Sequence, residues 1–136
     1  MIEDLKAGMK HTRRIDIDES RIISHMDAEL AVYSTPSMVE DIEMTCQEFI
    51  QRHLPGEQNT VGTHVAVDHM APTPAGAWVE ISIEVTGVDG RMVMMEAVVT
   101  DAIEQVGRGK HNRFVVDNEK TRERLIAKRK KIEGAG

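Results

Sequence analysis

A chain of 136 residues, 40% hydrophobic and 29% charged, is long enough to bury one core and has the balance of an ordinary globular protein. Its single cysteine excludes an internal disulfide and any zinc site built on paired cysteines. The net charge of −6 divides into +5 over residues 120–136 and −11 over residues 1–119, and so acidic a body argues against a nucleic-acid-binding surface.

In chain order, "HTRRIDID" reads as a first strand in which Ile15 and Ile17 alternate with polar neighbours. "ESRIISHMDAELAVYS" reads as a loop with a helical turn. The strongest helix signal follows. Thr35 has the chemistry of an N-cap, Pro36 suits the first helical position, and the pattern runs to the stop signal Pro55-Gly56. Met38, Val39, Ile42, Cys46, Phe49, Ile50 and His53 fall on one arc; Glu40, Asp41, Gln47, Glu48, Gln51 and Arg52 fall on the other. Glu43 breaks the division, sharing a side with Val39, Cys46 and Ile50 at the margin of the apolar arc.

Four strands are predicted after the helix: 61–69, 78–85, 91–100 and a long segment near 103–116. In 61–69, strict alternation sets Val61, Thr63, Val65, Val67 and His69 on one face and Gly62, His64, Ala66 and Asp68 on the other. "WVEISIEV" turns Val79, Ile81, Ile83 and Val85 inward, "GVDGR" supplies an Asp-Gly hairpin turn, and Gly107 and Gly109 mark a bulge or a close backbone approach. The long strands 78–85 and 91–100 raise the expectation of an edge that a second copy must cover. The basic tail "KTRERLIAKRKK" reads as a solvated terminal helix. One long helix and an antiparallel meander make an α+β fold with the helix on one face of the sheet. The longest apolar run, "MVMMEAVV", is short and broken by Glu96, so neither a membrane span nor a signal peptide is read, and a cytoplasmic protein is expected.

Three polar groups point at the helix–sheet junction: Thr35, Glu43 and His69. A hydroxyl, a carboxylate and an imidazole suffice for acyl transfer or general acid–base work. Each also has a plain structural reading, as a cap, a marginal glutamate and a core histidine, and periodicity alone stops there. The remaining histidines (11, 25, 53, 64, 111) have no metal-ligand spacing, "GRG" at 107–109 lacks a phosphate loop's context, and Cys46 sits on the buried arc.

"LKAGM", "VYSTPSMVEDIEMTC", "VGTHVAVDHMAPTPAG", "VEISIEVTGVDGR" and "VGRGKHNRFVV" together resemble the hot-dog-fold thioesterases, and within them the fluoroacetyl-CoA thioesterase-like group. The resemblance implies a single domain over 1–136 with a basic tail from about residue 118, its antiparallel sheet wrapped around one long central helix. It implies hydrolysis of a small acyl-CoA, with Thr35, Glu43 and His69 catalytic and with Gly62 and Arg113 beside the thioester. A homodimer joined edge to edge, active sites at the interface, and no metal or other cofactor are implied as well. The lid phenylalanines of the fluoroacetyl-specific enzymes fall nearest Met26 and Glu29, where no aromatic ring is present, so the likeness extends to hydrolysis and not to fluoroacetyl selectivity. An acyl-CoA-binding protein without hydrolysis is one alternative. A hydratase on the same fold is another, although Glu43 and Thr35 are not the Asp/His pair expected of it.

Overall fold

The computed structural model describes residues 2–23 and 27–136. The described elements are β1 (Lys10–Asp16), α1 (Thr35–Gln51), β2 (Gln58–His69), β3 (Trp78–Asp89), β4 (Met92–Thr100), β5 (Gln105–Asp117) and α2 (Asn118–Ala135), with short 3-10 turns at Ile2–Asp4, Glu19–Arg21 and Ala28–Leu30. The strands form one antiparallel sheet in the order β1-β3-β4-β5-β2, and α1 packs on its inner face against β2, β3 and β5. This is the sheet-around-helix arrangement expected above.

Alternation builds the core. Val79, Ile81, Ile83 and Val85 of β3 and Val93, Met95, Ala97 and Val99 of β4 are buried against Met38, Ile42, Cys46 and Ile50 of α1. On the outer face, Trp78 carries the Arg14 guanidinium 3.9 Å from its ring centre. The basic tail is helical and has no buried residue, as a solvated terminal helix should. Among the described residues, no helix is long and apolar enough to cross a membrane.

Three expectations are corrected. First, β3 and β4 are interior strands; the sheet's edges are β1 and β2, and β2 is exposed from Val61 to Ala66. Second, β2 does not alternate strictly. A bulge between Gly62 and His64 inserts one residue, so Gly62 pairs with Arg113 and His64 with Asn112. The parity change places Thr60 and Gly62 on the same inner face as Val65, Val67 and His69, and sends Val61 to the outer face opposite Phe114. Third, Asp41 is buried, not on the solvent arc. Arg21 grips it from two nitrogens, Nε to Oδ2 at 3.0 Å and Nη2 to Oδ1 at 3.2 Å, while the Tyr33 hydroxyl donates to Oδ2 at 2.6 Å. A carboxylate so paired can leave water where a bare one could not.

The predicted close approach is at Gly107. A Cβ there would lie 2.5 Å from Met38 Sδ and 2.9 Å from its Cε, and Met38 is itself fully buried. Gly107→Ala is therefore expected to destabilise the fold by about 1–3 kcal/mol, the usual range for overpacking a filled core. Denaturant unfolding would measure it; an unchanged midpoint would mean that α1 rides higher on the sheet than described.

Candidate active site

The N-terminus of α1 is capped by Ser34, whose Oγ accepts from Ser37 N at 3.1 Å and whose carbonyl accepts from Met38 N at 3.0 Å. Capping thus belongs to Ser34 rather than Thr35, a correction with a consequence for chemistry. Thr35 stands in the first turn, and its Oγ1 is 2.8 Å from Nδ1 of His69 at the end of β2. Pairing of His69 with Gly107 puts the imidazole beside the point where α1 comes closest to the sheet.

Burial lowers the His69 pKa from its ordinary 6.5, and the Ala71 backbone only partly opposes this. That backbone still makes no well-formed hydrogen bond to the ring, since Nε2 is buried with no partner among the described residues. The imidazole is accordingly neutral near pH 7, with one nitrogen on the threonine hydroxyl and the other uncommitted. The Tyr33 ring meets it in a T-shaped arrangement, the centroids 6.1 Å apart and the planes at 66°.

A second group of side chains gathers at Gly62. A Cβ there would stand 3.2 Å from His111 Cε1 and 3.4 Å from both Arg113 Nη1 and Glu43 Oε2. Arg113, only 7% exposed, donates from Nε to Thr60 Oγ1 at 2.8 Å and from Nη2 to the Thr60 carbonyl at 2.9 Å. Its Nη1 reaches His111 Nε2 at 3.0 Å, while His111 Nδ1 reaches the His64 carbonyl at 2.8 Å. A guanidinium only donates and a carbonyl only accepts, so His111 is a neutral imidazole protonated on Nδ1. Burial lowers its pKa, against the His64 carbonyl, and the Arg113 charge adds to the lowering. Glu43 is half-buried, and its carboxylate makes no hydrogen bond or ion pair among the described residues.

Of the five residues predicted from sequence, the fold brings Thr35 to His69, and separately Glu43 to Gly62 and Arg113. It does not join the two groups within one chain. Thr35 and Glu43 are eight residues apart, about 12 Å along the helix axis. His69 and Gly62 are roughly 23 Å apart along their strand. His111, which has no metal-ligand spacing in the sequence, joins the group at Gly62 through the two-residue step that sets it on the same strand face as Arg113. Burial pushes the Cys46 thiol up to about 12, so it is inert. Met26 lies outside the described residues, and Glu29 is exposed in the turn Ala28–Leu30. No group of three or more described His, Cys, Asp or Glu side chains could hold a metal ion. The cavity of about 590 Å³ lined by Asp68, Glu96, Val98, Arg108 and Lys110 lies on the other side of the sheet, away from both groups.

The sequence model of the fluoroacetyl-CoA-specific thioesterase family matches residues 17–119. The fluoroacetyl-CoA thioesterase of Streptantibioticus cattleyicolor is 26% identical over 127 residues, covering 88% of this chain and 91% of that protein. A solved structure of a fluoroacetyl-CoA thioesterase superposes with a TM-score of 0.82 at 25% identity, over 91% of this chain and 97% of the other. A hot-dog-like protein from Thermanaerovibrio acidaminovorans shares the fold, with a TM-score of 0.86 at 22% identity over 93% and 94% of the two chains.

The capping geometry separates two neighbours. Ser34→Ala should cost about 1 kcal/mol of stability, the usual value of a lost cap. Thr35→Ala should leave the unfolding midpoint near wild type, because its hydroxyl holds His69 and not the helix. Equal losses in the two variants by thermal denaturation would return the capping role to Thr35.

Proposed function

The chain belongs to the fluoroacetyl-CoA-specific thioesterase family and hydrolyses acyl-CoA thioesters, and from that premise we propose that Thr35, Glu43 and His69 carry the reaction. The observation that carries the assignment is the 2.8 Å contact between Thr35 Oγ1 and His69 Nδ1, made by a threonine that the helix does not need as its cap. His69 Nε2 has no hydrogen-bond partner among the described residues, which leaves it available for proton transfer.

Hydrolysis adds an oxygen to the thioester carbonyl, breaks the C–S bond and returns a proton to the departing thiolate. Glu43 serves either as the base that takes a proton from water or as the attacking oxygen itself. Its uncommitted carboxylate suits both roles. Thr35 orients the thioester, and His69 moves the proton and stabilises the developing charge. The backbone at Gly62, open to close approach because it lacks a side chain, lies against the thioester oxygen, with Arg113 behind it. The acyl group is small, and the absence of an aromatic ring at Met26 and Glu29 speaks against a fluoroacetyl-specific lid.

We further infer that each site is assembled from two copies of the chain. The exposed edge of β2 is the natural seam, and an antiparallel pairing of two β2 strands about a two-fold axis at Ala66, with the bulge counted as one position, sets His69 opposite Gly62 of the partner subunit. Such a dimer brings Thr35 and His69 of one protomer to Glu43 and Arg113 of the partner subunit, closing the gap that separates them within one chain.

Glu43→Gln and His69→Ala should each nearly abolish kcat on a panel of short acyl-CoAs while both fold. Mixing the two inactive proteins under conditions of subunit exchange should restore thiol release, since half the sites of a mixed dimer then carry both intact halves. Near wild-type rates in either variant would remove the active-site assignment; failure of the mixture alone would confine each site to a single chain. The pH profile supplies a second measurement. His69 must be neutral to accept a proton and its pKa lies below 6.5, so kcat/KM should hold as pH falls to that value and decline only below it. An acid limb above 6.5 would assign the limiting ionisation to another group.

A further inference from the structure

Tyr33 lies two residues before Thr35, is fully buried, and meets four separate parts of the fold. Its backbone N–H donates to the Thr73 carbonyl at 2.8 Å, in the proline loop that follows His69, and its backbone bridges Ile22. Its ring packs against the His69 ring in a T-shaped contact, and its hydroxyl crosses to α1, donating to Asp41 Oδ2 at 2.6 Å. Asp41 is fixed in turn by Arg21, whose remaining nitrogen holds Asp18 Oδ2 at 2.8 Å and whose carbonyl accepts from Ser34 N at 2.8 Å. Thr73 is itself anchored, its hydroxyl donating to Asp101 Oδ2 at 2.9 Å.

One residue therefore joins these parts, its backbone holding the segment before the helix and the loop beyond β2 and its side chain reaching Asp41 on the helix and the His69 ring. We propose that Tyr33 is a positioning residue for hydrolysis, its hydroxyl on Asp41 setting the distance between the Thr35 hydroxyl and the His69 ring. The inference rests on the Thr35–His69 reading above and adds to it a residue that touches no reacting atom. The hydroxyl is the one group of the Tyr33 side chain that hydrogen-bonds α1; the ring by itself could slide past Asp41. Asp41 and Arg21 form the other half of this contact, and an oriented buried carboxylate gives the phenol a single direction in which to point.

The effect on rate follows from how steeply catalysis depends on alignment, a misplacement of about 1 Å being worth as much as 100-fold. Tyr33→Phe keeps the ring against His69 and removes only the hydroxyl. At a temperature well below its unfolding midpoint, its kcat for a short acyl-CoA should fall roughly tenfold or more with KM changed by less than about twofold, the signature of lost alignment rather than lost binding. A residue that merely stabilised the fold would lower the midpoint and leave kcat alone, and that result would overturn the proposal. Should Tyr33→Phe fail to fold, the double variant Tyr33→Phe/Asp41→Asn removes the hydroxyl together with the charge it satisfies. The same fall in kcat at constant KM is expected of it, and wild-type kcat would again count against the proposal. His69→Ala, assayed alongside, keeps the two ideas apart. An active His69→Ala enzyme defeats the site itself, whereas an inactive one beside a fully active Tyr33→Phe enzyme defeats only the positioning role.

Discussion

The helix α1 lies so close to the inner face of the sheet that the strand beneath it has no room for a side chain at Gly107. Met38 fills that space, and the neighbouring Gly109 carries Ile42 and the Val67 side chain within 3.5 Å of where a Cβ would stand. The Thr35–His69 contact lies beside this approach. Gly107 pairs with His69, so the point of closest packing is also where the imidazole reaches the first turn of the helix. A helix held farther off would leave threonine and histidine out of hydrogen-bond range, with the rest of the fold unchanged.

The bulge in β2 is the second constraint. Side chains of a strand alternate without exception unless a residue is inserted, and His69 and Gly62 differ by an odd number of residues. A regular strand would have turned one of them to the outer face. The insertion between Gly62 and His64 puts both on the inner face, and it does so on an edge strand, where an extra residue disturbs only one ladder. The same edge is exposed from Val61 to Ala66.

Around Gly62 the charges are arranged by donor and acceptor capacity. Arg113 is too buried to be hydrated and spends its nitrogens on Thr60 and His111. His111 can accept from it only while neutral, and the His64 carbonyl fixes the tautomer that makes this possible. Glu43 is thereby left facing a positive side chain without being tied to it, which keeps a carboxylate oriented and still available.

The sequence by itself determined the α+β class, the four strands after the helix, the inner face of β3 and the solvated basic tail, while the five candidate site residues were assigned their roles only through the family resemblance. These are local matters: side-chain periodicity, turn chemistry and the quoted motifs need no knowledge of distant neighbours. What it misjudged were features that depend on neighbours across the fold. Asp41 read as a solvent-facing carboxylate because its partners, Arg21 and Tyr33, approach from a segment with no periodicity of its own. Thr35 read as the cap because Ser34 and Thr35 are equally good capping residues, and only backbone geometry chooses between them. The parity of β2 could not be read either, since a bulge is set by pairing with β5. His111 reads from spacing only as a histidine without metal partners because its contact with Arg113 exists only in the fold, and the edges of the sheet were decided by a strand order that no single strand encodes. Tertiary structure alone made those choices, because burying a charge or turning a strand over depends on what lies opposite it, and that is a property of the packed chain.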